Sequence, residues 1–404
     1  MTDSSTQDDR LAQCKSEVAR RVEQAADDLI RLSHEIHAHP ELAFEEHRAS
    51  AWVGDTMAAA GMSVQAGVAD LETSLTGTVG SGQLALAVCA EYDALPMVGH
   101  ACGHNVIAAA AVGAAIALMG LADEYDLTVK VLGTPAEEGG GGKVLMLERG
   151  AFDGVHAAMM VHPAPYDARH MRALARARFQ VRYRGKAAHA SMFPHHGRNA
   201  ADALVVAQVA IGLLRQHLPA GEQVHGIVTE AGFAPAIVPE SSVASYAARA
   251  PRAGELDQLL KRLYACFEAG AIATGTDVFM EETAPRYTHF MPHQAMSAYY
   301  VQNARDLGRS FGNRNAKKMS GGSTDMANVS LCVPAIHPLI GIRSAPAVNH
   351  QAEFAAACIR ADADKAVLDG AVAMAWTMLD LAADCDLRSA LLARTSALAM
   401  PGDP

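Results

Sequence analysis

The sequence predicts an α/β fold: a mainly parallel sheet flanked by helices, interrupted by a smaller α+β insert. Three observations predict it. From about Ser74 to Val161, apolar strand-length runs alternate with helical segments, which is the pattern of a parallel sheet with crossover helices. The middle third changes to the order β-α-β-β-α-β, that of a ferredoxin-like sandwich. After about Tyr287 the α/β alternation resumes. The expected domains are residues 1–172 with 290–404 as one discontinuous α/β domain, and residues 173–289 as the insert.

Each element has a local reason. Between Ser16 and Ala38, Val18, Val22, Ala25, Leu29 and Leu32 recur near a 3.6-residue period, and Pro40 ends the helix. A second helix covers Glu46 to Ala60 and stops at Gly61. Strands at Ser74–Val79 and Leu84–Tyr92 flank the turn Gly80-Ser81-Gly82. The longest apolar run, Val106 to Ala122, has 17 residues, mostly Ala and Gly. That is the short limit for a membrane span, and it reads as a buried helix. Strands follow at Leu127–Leu132 and Ala157–Val161. In the insert, Arg176–Tyr183, Val224–Thr229, Val243–Arg249 and Asp277–Thr283 read as strands, with helices at Ala200–Leu218 and Glu255–Thr274. A helix to Phe311, an apolar strand from Ala335 to Ile342 and a helix from Ala361 to Ala382 complete the chain. The ends, Met1 to Asp9 and Ala397 to Pro404, are expected to be loose.

Composition narrows the function. Half of the residues are hydrophobic and 19% are charged, which excludes disorder as the main state. Lys plus Arg is 33 against 44 Asp plus Glu, a net charge of −11. Such a chain has no general pull toward nucleic acid or an anionic membrane, so neither is an expected partner. Seven cysteines, an odd number spread from Cys14 to Cys385, suit a reducing compartment rather than a disulfide framework. The polar, acidic N-terminus shows no secretory signal, so a cytoplasmic location is expected.

Several segments carry candidate chemistry. In GHACGHN, Cys102 and His104 lie two apart before a helix, and thiolate and imidazole both ligate Zn or similar metals. Taken alone, the pair fits a buried cysteine and a capping histidine as well. In TPAEEGGGG, Glu137 and Glu138 end a strand and precede four glycines. Adjacent carboxylates there can divide between a metal ligand and a general base, and glycines let something approach the backbone closely. A solvated turn is the plainer alternative. In MMVHPAP, His162 leaves the carboxyl end of an apolar strand, where open α/β sheets bind ligands. His350 in AVNHQAEF and His189 in GKAAHAS say little singly. Together, Cys102, Glu138 and His162 fall on one predicted sheet rim.

The segments AEYDALP, HACGHN, AEEGGGG, VHP, GKAAHAS and GGSTDMANVS occur in an order and spacing that resemble the two-metal aminoacylase and carboxypeptidase family of metallopeptidases. Within it they resemble the amidohydrolase branch, which includes hippurate hydrolase, p-aminobenzoyl-glutamate hydrolase and xaa-Arg (β-alanyl-lysine) dipeptidase. The resemblance implies a metal-binding catalytic domain with an inserted lid and dimerisation domain, and it carries a site over residue by residue. Cys102 would bridge two divalent ions, Zn2+ or Mn2+. Glu138 and His350 would complete one ion, and His104 and His162 the other. Glu137 would be the general base, and the hydroxide bridging the metals the nucleophile. Asp93 would orient a ligand, and His189 would reach a neighbouring subunit's site to stabilise the oxyanion. Asn199 and Arg249 would contact a substrate carboxylate. Read from its residues, Ser323-Thr324-Asp325 after two glycines is a helix N-cap whose free N–H groups could also receive a substrate carboxylate. The implied substrate is a dipeptide or an N-acyl (aminobenzoyl-type) amino acid, and the implied assembly a homodimer through the insert. Two departures stand out: CGHN carries Asn105 where much of the branch has Asp, and Tyr92 precedes Asp93 where Met is usual.

Two other readings compete. Cys102 with His104 as base would make a thiol hydrolase, although two residues apart at a helix start is poor geometry for that pair. A non-catalytic binding protein on the same fold would be expected to have lost ligands or the base, and none is lost here.

Overall fold

The computed structural model describes residues 4–312 and 320–394, so the expectation for Ala397 to Pro404 lies outside the described residues. In chain order the helices are α1 (Ser4–Gln24), α2 (Ala26–Ala38), α3 (His47–Ala59), α4 (His104–Leu118), α5 (Gly142–Glu148), α6 (Ala200–Arg215), α7 (Ala253–Thr274), α8 (Gln294–Asp306), α9 (Met326–Cys332), α10 (Ala352–Ala357), α11 (Ala361–Ala383) and α12 (Cys385–Leu392). The strands are β1 (Ser63–Ala66), β2 (Leu75–Val79), β3 (Leu84–Glu91), β4 (Leu127–Thr134), β5 (Ala157–Met159), β6 (His162–Ala164), β7 (Arg172–Ala173), β8 (Ala175–Arg184), β9 (Gln223–Glu230), β10 (Ser241–Ala250), β11 (Asp277–Glu282), β12 (Ser320–Gly322), β13 (Ala335–Ile336) and β14 (Leu339–Gly341). The chain divides into two compact units. One holds Met1–Arg172, Phe290–Ser320 and Thr324–Pro404, and the other holds Ala173–His289 with Gly321–Ser323.

The first unit is built on a six-stranded sheet of order β1-β2-β4-β3-β5-β13. β3 runs parallel to β4 and β5, and β13 runs parallel to β5. β2 is antiparallel to β4, and β1 to β2, so the sheet ends in an antiparallel edge. Every residue of β3 is buried, as a central parallel strand covered on both faces requires. α4 packs on β3 and against α11, and all its residues but Ile116 are buried. The Ala-rich run is therefore a core helix, as its composition predicts. α11 has the length and apolarity of a membrane span, but 83% of its apolar window is buried inside the protein, as in a core helix. Close packing needs Gly113: a Cβ there would sit 2.8 Å from Leu29 Cδ1 and 2.9 Å from Ala371 Cβ.

Three expectations are corrected. The helix expected over Ser16–Ala38 is two helices, broken at Ala25, with Asp27 and Asp28 at the favoured end of the second. Its first part begins at Ser4, so Ser4 to Asp9 are helical rather than loose. The strand expected over Ala335–Ile342 is interrupted between β13 and β14 by His337 and Pro338. The partner segment is interrupted likewise before His162-Pro163, and β14 pairs with β6 in a separate two-stranded parallel sheet. Pro163 and Pro338 have no N–H with which to continue the first ladder.

The second unit is a four-stranded antiparallel sheet of order β11-β8-β10-β9. Ala175, Ala177, Phe179, Val181 and Tyr183 on β8 share a core with Leu204 of α6 and Leu260 and Phe267 of α7. Both helices therefore cover one face, and the alternate residues Arg178, Arg182 and Arg184 belong to the other. This is the β-α-β-β-α-β sandwich that the order of segments predicts.

Gly113→Val is expected to overpack the α2–α4–α11 contact and cost about 1–3 kcal/mol. The check is urea unfolding: a lowered midpoint with native helical circular dichroism retained.

Candidate metal centre

The site forms at the carboxyl ends of β3 and β4, the rim where open parallel sheets gather ligands. β3 ends at Glu91, and Tyr92 and Asp93 follow. β4 ends at Thr134, and the chain turns through Pro135 and Ala136 to Glu137 and Glu138. His104 opens α4, two residues after Cys102. Gly103 between them has φ +76°, and a Cβ there would lie 2.8 Å from Pro163 Cγ and 3.0 Å from Cys358 Sγ. Only glycine lets this loop approach His162's neighbour so closely.

The ligating atoms of Cys102, His104 and His162 lie within 4.8 Å of one another, as do those of Cys102, Glu138 and His350. The two triads share the thiol, and they are the same sets the resemblance assigns to two ions. His104 Nε2 is 3.9 Å from Glu138 Oε1, and His350 Nε2 is 3.8 Å from Glu138 Oε2. Glu137 is beside them, 4.0 Å from His104 Nε2. His350 is the exposed member, with a side chain 61% accessible. Its backbone N–H donates to Ala101 O at 2.9 Å, and its φ is +70°.

Asp93 ties the two halves together. Its Oδ1 accepts from His104 Nδ1 at 2.9 Å, and its Oδ2 accepts the backbone N–H of Glu138 at 2.9 Å. One carboxylate thus orients an imidazole and the backbone of a carboxylate, as partners behind a metal site do. His162 Nδ1 lies 2.9 Å from Pro163 O, which leaves Nε2 for a ligand.

A divalent cation fits these residues. His104 Nε2, Glu138 Oε1 and Glu91 Oε2 are buried without a hydrogen-bond partner, an arrangement costly in an interior that offers nothing to bind. Thiolate, imidazole and carboxylate donors suit Zn, and Mn accepts the same nitrogen and oxygen atoms.

The protein alone sets the proton affinities. Burial, then Glu138, pushes the Cys102 thiol well above its usual range. An activated nucleophilic thiol needs the opposite shift, so the thiol-hydrolase reading lacks its thiolate. Burial, then Glu91 and Glu138, likewise pushes Glu137 well above the carboxylate range. Burial opposes a charged His104, but Asp93 and Glu91 outweigh it and raise the imidazole well above its usual value. Burial lowers His162 to about 4.

The glycines after Glu138 serve the protein itself. A Cβ on Gly140 would lie 2.2 Å from Phe44 Cε2, and one on Gly142 would lie 1.9 Å from Pro135 O. The close approach that the run permits is that of a phenyl ring and a carbonyl.

The remaining expected residues lie in the second unit, except Thr324. His189 is exposed, and its Nδ1 accepts from Met192 N–H at 3.2 Å. Asn199 caps α6 through Oδ1, which accepts from Ala201 and Asp202 N–H. Arg249 donates to Gly321 O at 2.6 Å and to Ser323 Oγ at 3.1 Å. Burial, then Arg176 and Arg178, lowers its proton affinity. Ser323 Oγ donates to Leu174 O at 2.8 Å. Thr324 is buried and accepts from Met326 N–H, so its hydroxyl, rather than the side chain of Asp325, meets the start of α9.

Sequence reasoning missed the support behind the base. Lys143 is fully buried, and its Nζ lies 2.5 Å from Glu91 Oε1 and 2.8 Å from Asp325 Oδ1. Oxygen atoms of Glu91, Glu137 and Asp325 lie within 4.8 Å of one another. The signals were an acid closing the apolar run LALAVCAE and a lysine directly after the glycines. His337 was also missed: it is fully buried, 5.4 Å from the His162 ring, and neither of its ring nitrogens has a partner.

Residues 87–367 match the profile of peptidase family M20/M25/M40. The chain is 38% identical over 387 residues to a Xaa-Arg dipeptidase of Mus musculus, covering 91% of this chain and 88% of the relative. It is 32% identical over 268 residues to a p-aminobenzoyl-glutamate hydrolase chain of Escherichia coli K12, covering 61% and 56%. Among solved structures, a putative aminohydrolase of methicillin-resistant Staphylococcus aureus superposes with TM-score 0.74 at 19% identity, covering 91% and 99%. A dinuclear metal binding peptidase of Bacillus subtilis from the M20 family superposes with TM-score 0.67 at 19% identity, covering 89% and 99%. At those identities the superpositions speak for the fold.

Lys143→Met would leave Glu91 and Asp325 buried without their cation. It is expected to cost about 3–5 kcal/mol at neutral pH, read as a fall in the urea midpoint of the metal-free protein.

Proposed function

This chain belongs to peptidase family M20/M25/M40 and is a hydrolase acting on amide bonds, and from that premise we propose that it cleaves a dipeptide or an N-acyl (aminobenzoyl-type) amino acid using two divalent metal ions per subunit, Zn2+ or Mn2+. The observation that carries the reading is the pair of ligand triads sharing Cys102, with Glu137 alongside. Bound there, divalent cations supply Lewis acidity that polarises the scissile carbonyl and acidifies the attacking water.

The chain's own residues do the rest. Glu137 takes a proton from the attacking water and passes it to the leaving amine. Its carboxyl is buried, with an oxygen within 4.8 Å of the ligating atoms of His104 and Glu138. Asp93 accepts from His104 Nδ1, so the Nε2 lone pair is the one offered to a ligand. His189 accepts at Nδ1 from Met192, so in the neutral ring Nε2 carries the hydrogen that an oxyanion needs. Asn199, whose Oδ1 is committed to its helix cap, has Nδ2 left to donate to a substrate carboxylate, and Arg249 supplies the charge, with Ser323 on its guanidinium.

Homodimerisation through the second unit is supported by its surface. β9 is an edge strand with seven of its eight residues exposed, among them Ile227 at 66%. On α6, Val205, Val209 and Leu213 are exposed as well, the last at 68%. An open strand edge and an apolar helical stripe are features that soluble proteins cover. A second copy of the chain covers both.

Glu137→Gln is expected to keep its metal, counted by plasma mass spectrometry, and to lose at least about a hundredfold in kcat on a dipeptide and N-acyl amino acid panel. Chelation and dialysis should abolish wild-type turnover, and added Zn2+ or Mn2+ should restore it. Wild-type activity in either case sinks the scheme.

If His189 serves a neighbouring subunit, Glu137→Gln and His189→Ala chains, each inactive alone, should regain activity when co-expressed. Mixed dimers no more active than either parent would place His189 outside the neighbour's site.

A further inference from the structure

Glu46 is the N-cap residue of α3, yet its side chain makes no cap bond. It is fully buried and reaches three partners, two of them on distant segments. Oε1 accepts both Phe44 N–H and Ala136 N–H, each at 2.9 Å, and Oε2 accepts the Thr73 hydroxyl at 2.8 Å. The Thr73 carbonyl in turn accepts the Tyr92 hydroxyl at 2.5 Å. A continuous chain of hydrogen bonds therefore runs from Tyr92, next to Asp93, to Ala136, next to Glu137.

Ala136 is the pivot of the turn that carries the paired carboxylates. Its φ is +59°, a left-handed conformation that an alanine adopts only under strain. Its carbonyl accepts Gly140 N–H at 3.0 Å and Gly141 N–H at 2.8 Å. Phe44, the other residue held by Oε1, is also left-handed at φ +65°, and its ring fills the space over Gly140. One carboxylate oxygen thus holds two left-handed backbones, one directly before Glu137 and the other at Phe44, whose ring lies over Gly140.

We propose that Glu46 is a positioning residue of this site: as a buried acceptor of fixed length it holds Ala136 left-handed, and so aims Glu137 and Glu138. The inference rests on the two-metal reading above. What matters is the acceptor's position rather than its charge. Burial, then Asp93, pushes Glu46 up to about 7.

Two substitutions separate position from charge. Glu46→Gln keeps the length and the Oε1 acceptor, and Glu46→Asp keeps the charge but withdraws the acceptor by one methylene. Metal affinity is read without substrate, by competition with a chromophoric chelator, and kcat and KM are read separately. The Gln variant is expected within about threefold of wild type in all three. The Asp variant is expected to bind metal about 10-fold or more weakly and to lose kcat by about as much, with KM within threefold. Adding Ala136→Gly, which adopts positive φ without strain, should restore part of the affinity lost in Glu46→Asp. A merely structural role in anchoring α3 would not respond to that change. An Asp variant equal to wild type, a Gln variant as impaired as the Asp one, or no restoration by Ala136→Gly each overturns the proposal. A fully active Glu137→Gln, by contrast, would overturn the base assignment and leave the affinity ranking to decide the role of Glu46.

Discussion

Buried negative charge is the constraint on which this centre depends. Glu91, Asp93, Glu137 and Asp325 are all buried around one rim, with Glu138 nearly so. Against them stand Lys143, placed between Glu91 and Asp325, and His104, placed against Asp93. Like charges a few ångströms apart in a low-dielectric interior cannot all stay ionised. Glu137 absorbs the conflict, with its proton affinity pushed well up, while Asp93, held by His104, stays low despite burial. The same imbalance explains the site's appetite for cations. Buried oxygen and nitrogen atoms without partners are arranged around a space that positive charge would satisfy.

How much of this was legible in the sequence follows from where each residue sits. Cys102, Glu138 and His162 were read onto one rim because each falls at a predicted strand end or in the loop after one, where segment order predicts convergence; His104 and Glu137 come with them, two residues from Cys102 and one from Glu138. His350 and His189 became meaningful only through the resemblance, since neither lies in a pattern with chemical content of its own. The Glu91–Lys143–Asp325 triad was not legible. Its members are separated by 52 and 182 residues, and no local period links them. The stop at Pro163 was readable from proline's missing donor, whereas Pro338 was passed over inside the mostly apolar segment Ala335–Ile342. Glu46 hid behind an ordinary reading as a helix start.

The second unit was legible at the level of topology and less so at the level of side chains. Alternation along β8 separates a helix-facing apolar set from an arginine-bearing set, and the order of segments then fixes the sandwich. Which hydroxyls and amides are spent inside the fold is a different matter. Asn199 and Thr324 satisfy backbone N–H groups two or three residues on, because short polar side chains beside turns find local partners first, whereas Ser323 is spent on the distant Leu174 carbonyl. Their donor and acceptor capacity for anything else is what remains after those bonds.

The two departures from the family's usual motifs have a structural explanation in the packing around them. Asn105 is buried on α4, and its Nδ2 donates to Ser33 Oγ at 2.8 Å and to Cys358 O at 3.0 Å. The Cys358 carbonyl can only accept, and an ionised aspartate has no hydrogen to give it, so the amide suits this place in the helical layer. Tyr92 is likewise fully buried, its hydroxyl bound to the Thr73 carbonyl, and Gly133 leaves room for it: a Cβ there would lie 3.0 Å from that oxygen. Both side chains point into the packing behind the centre. Asn105 thus records a polar contact within the helical layer, and Tyr92 a bond behind Asp93; both side chains are fully buried.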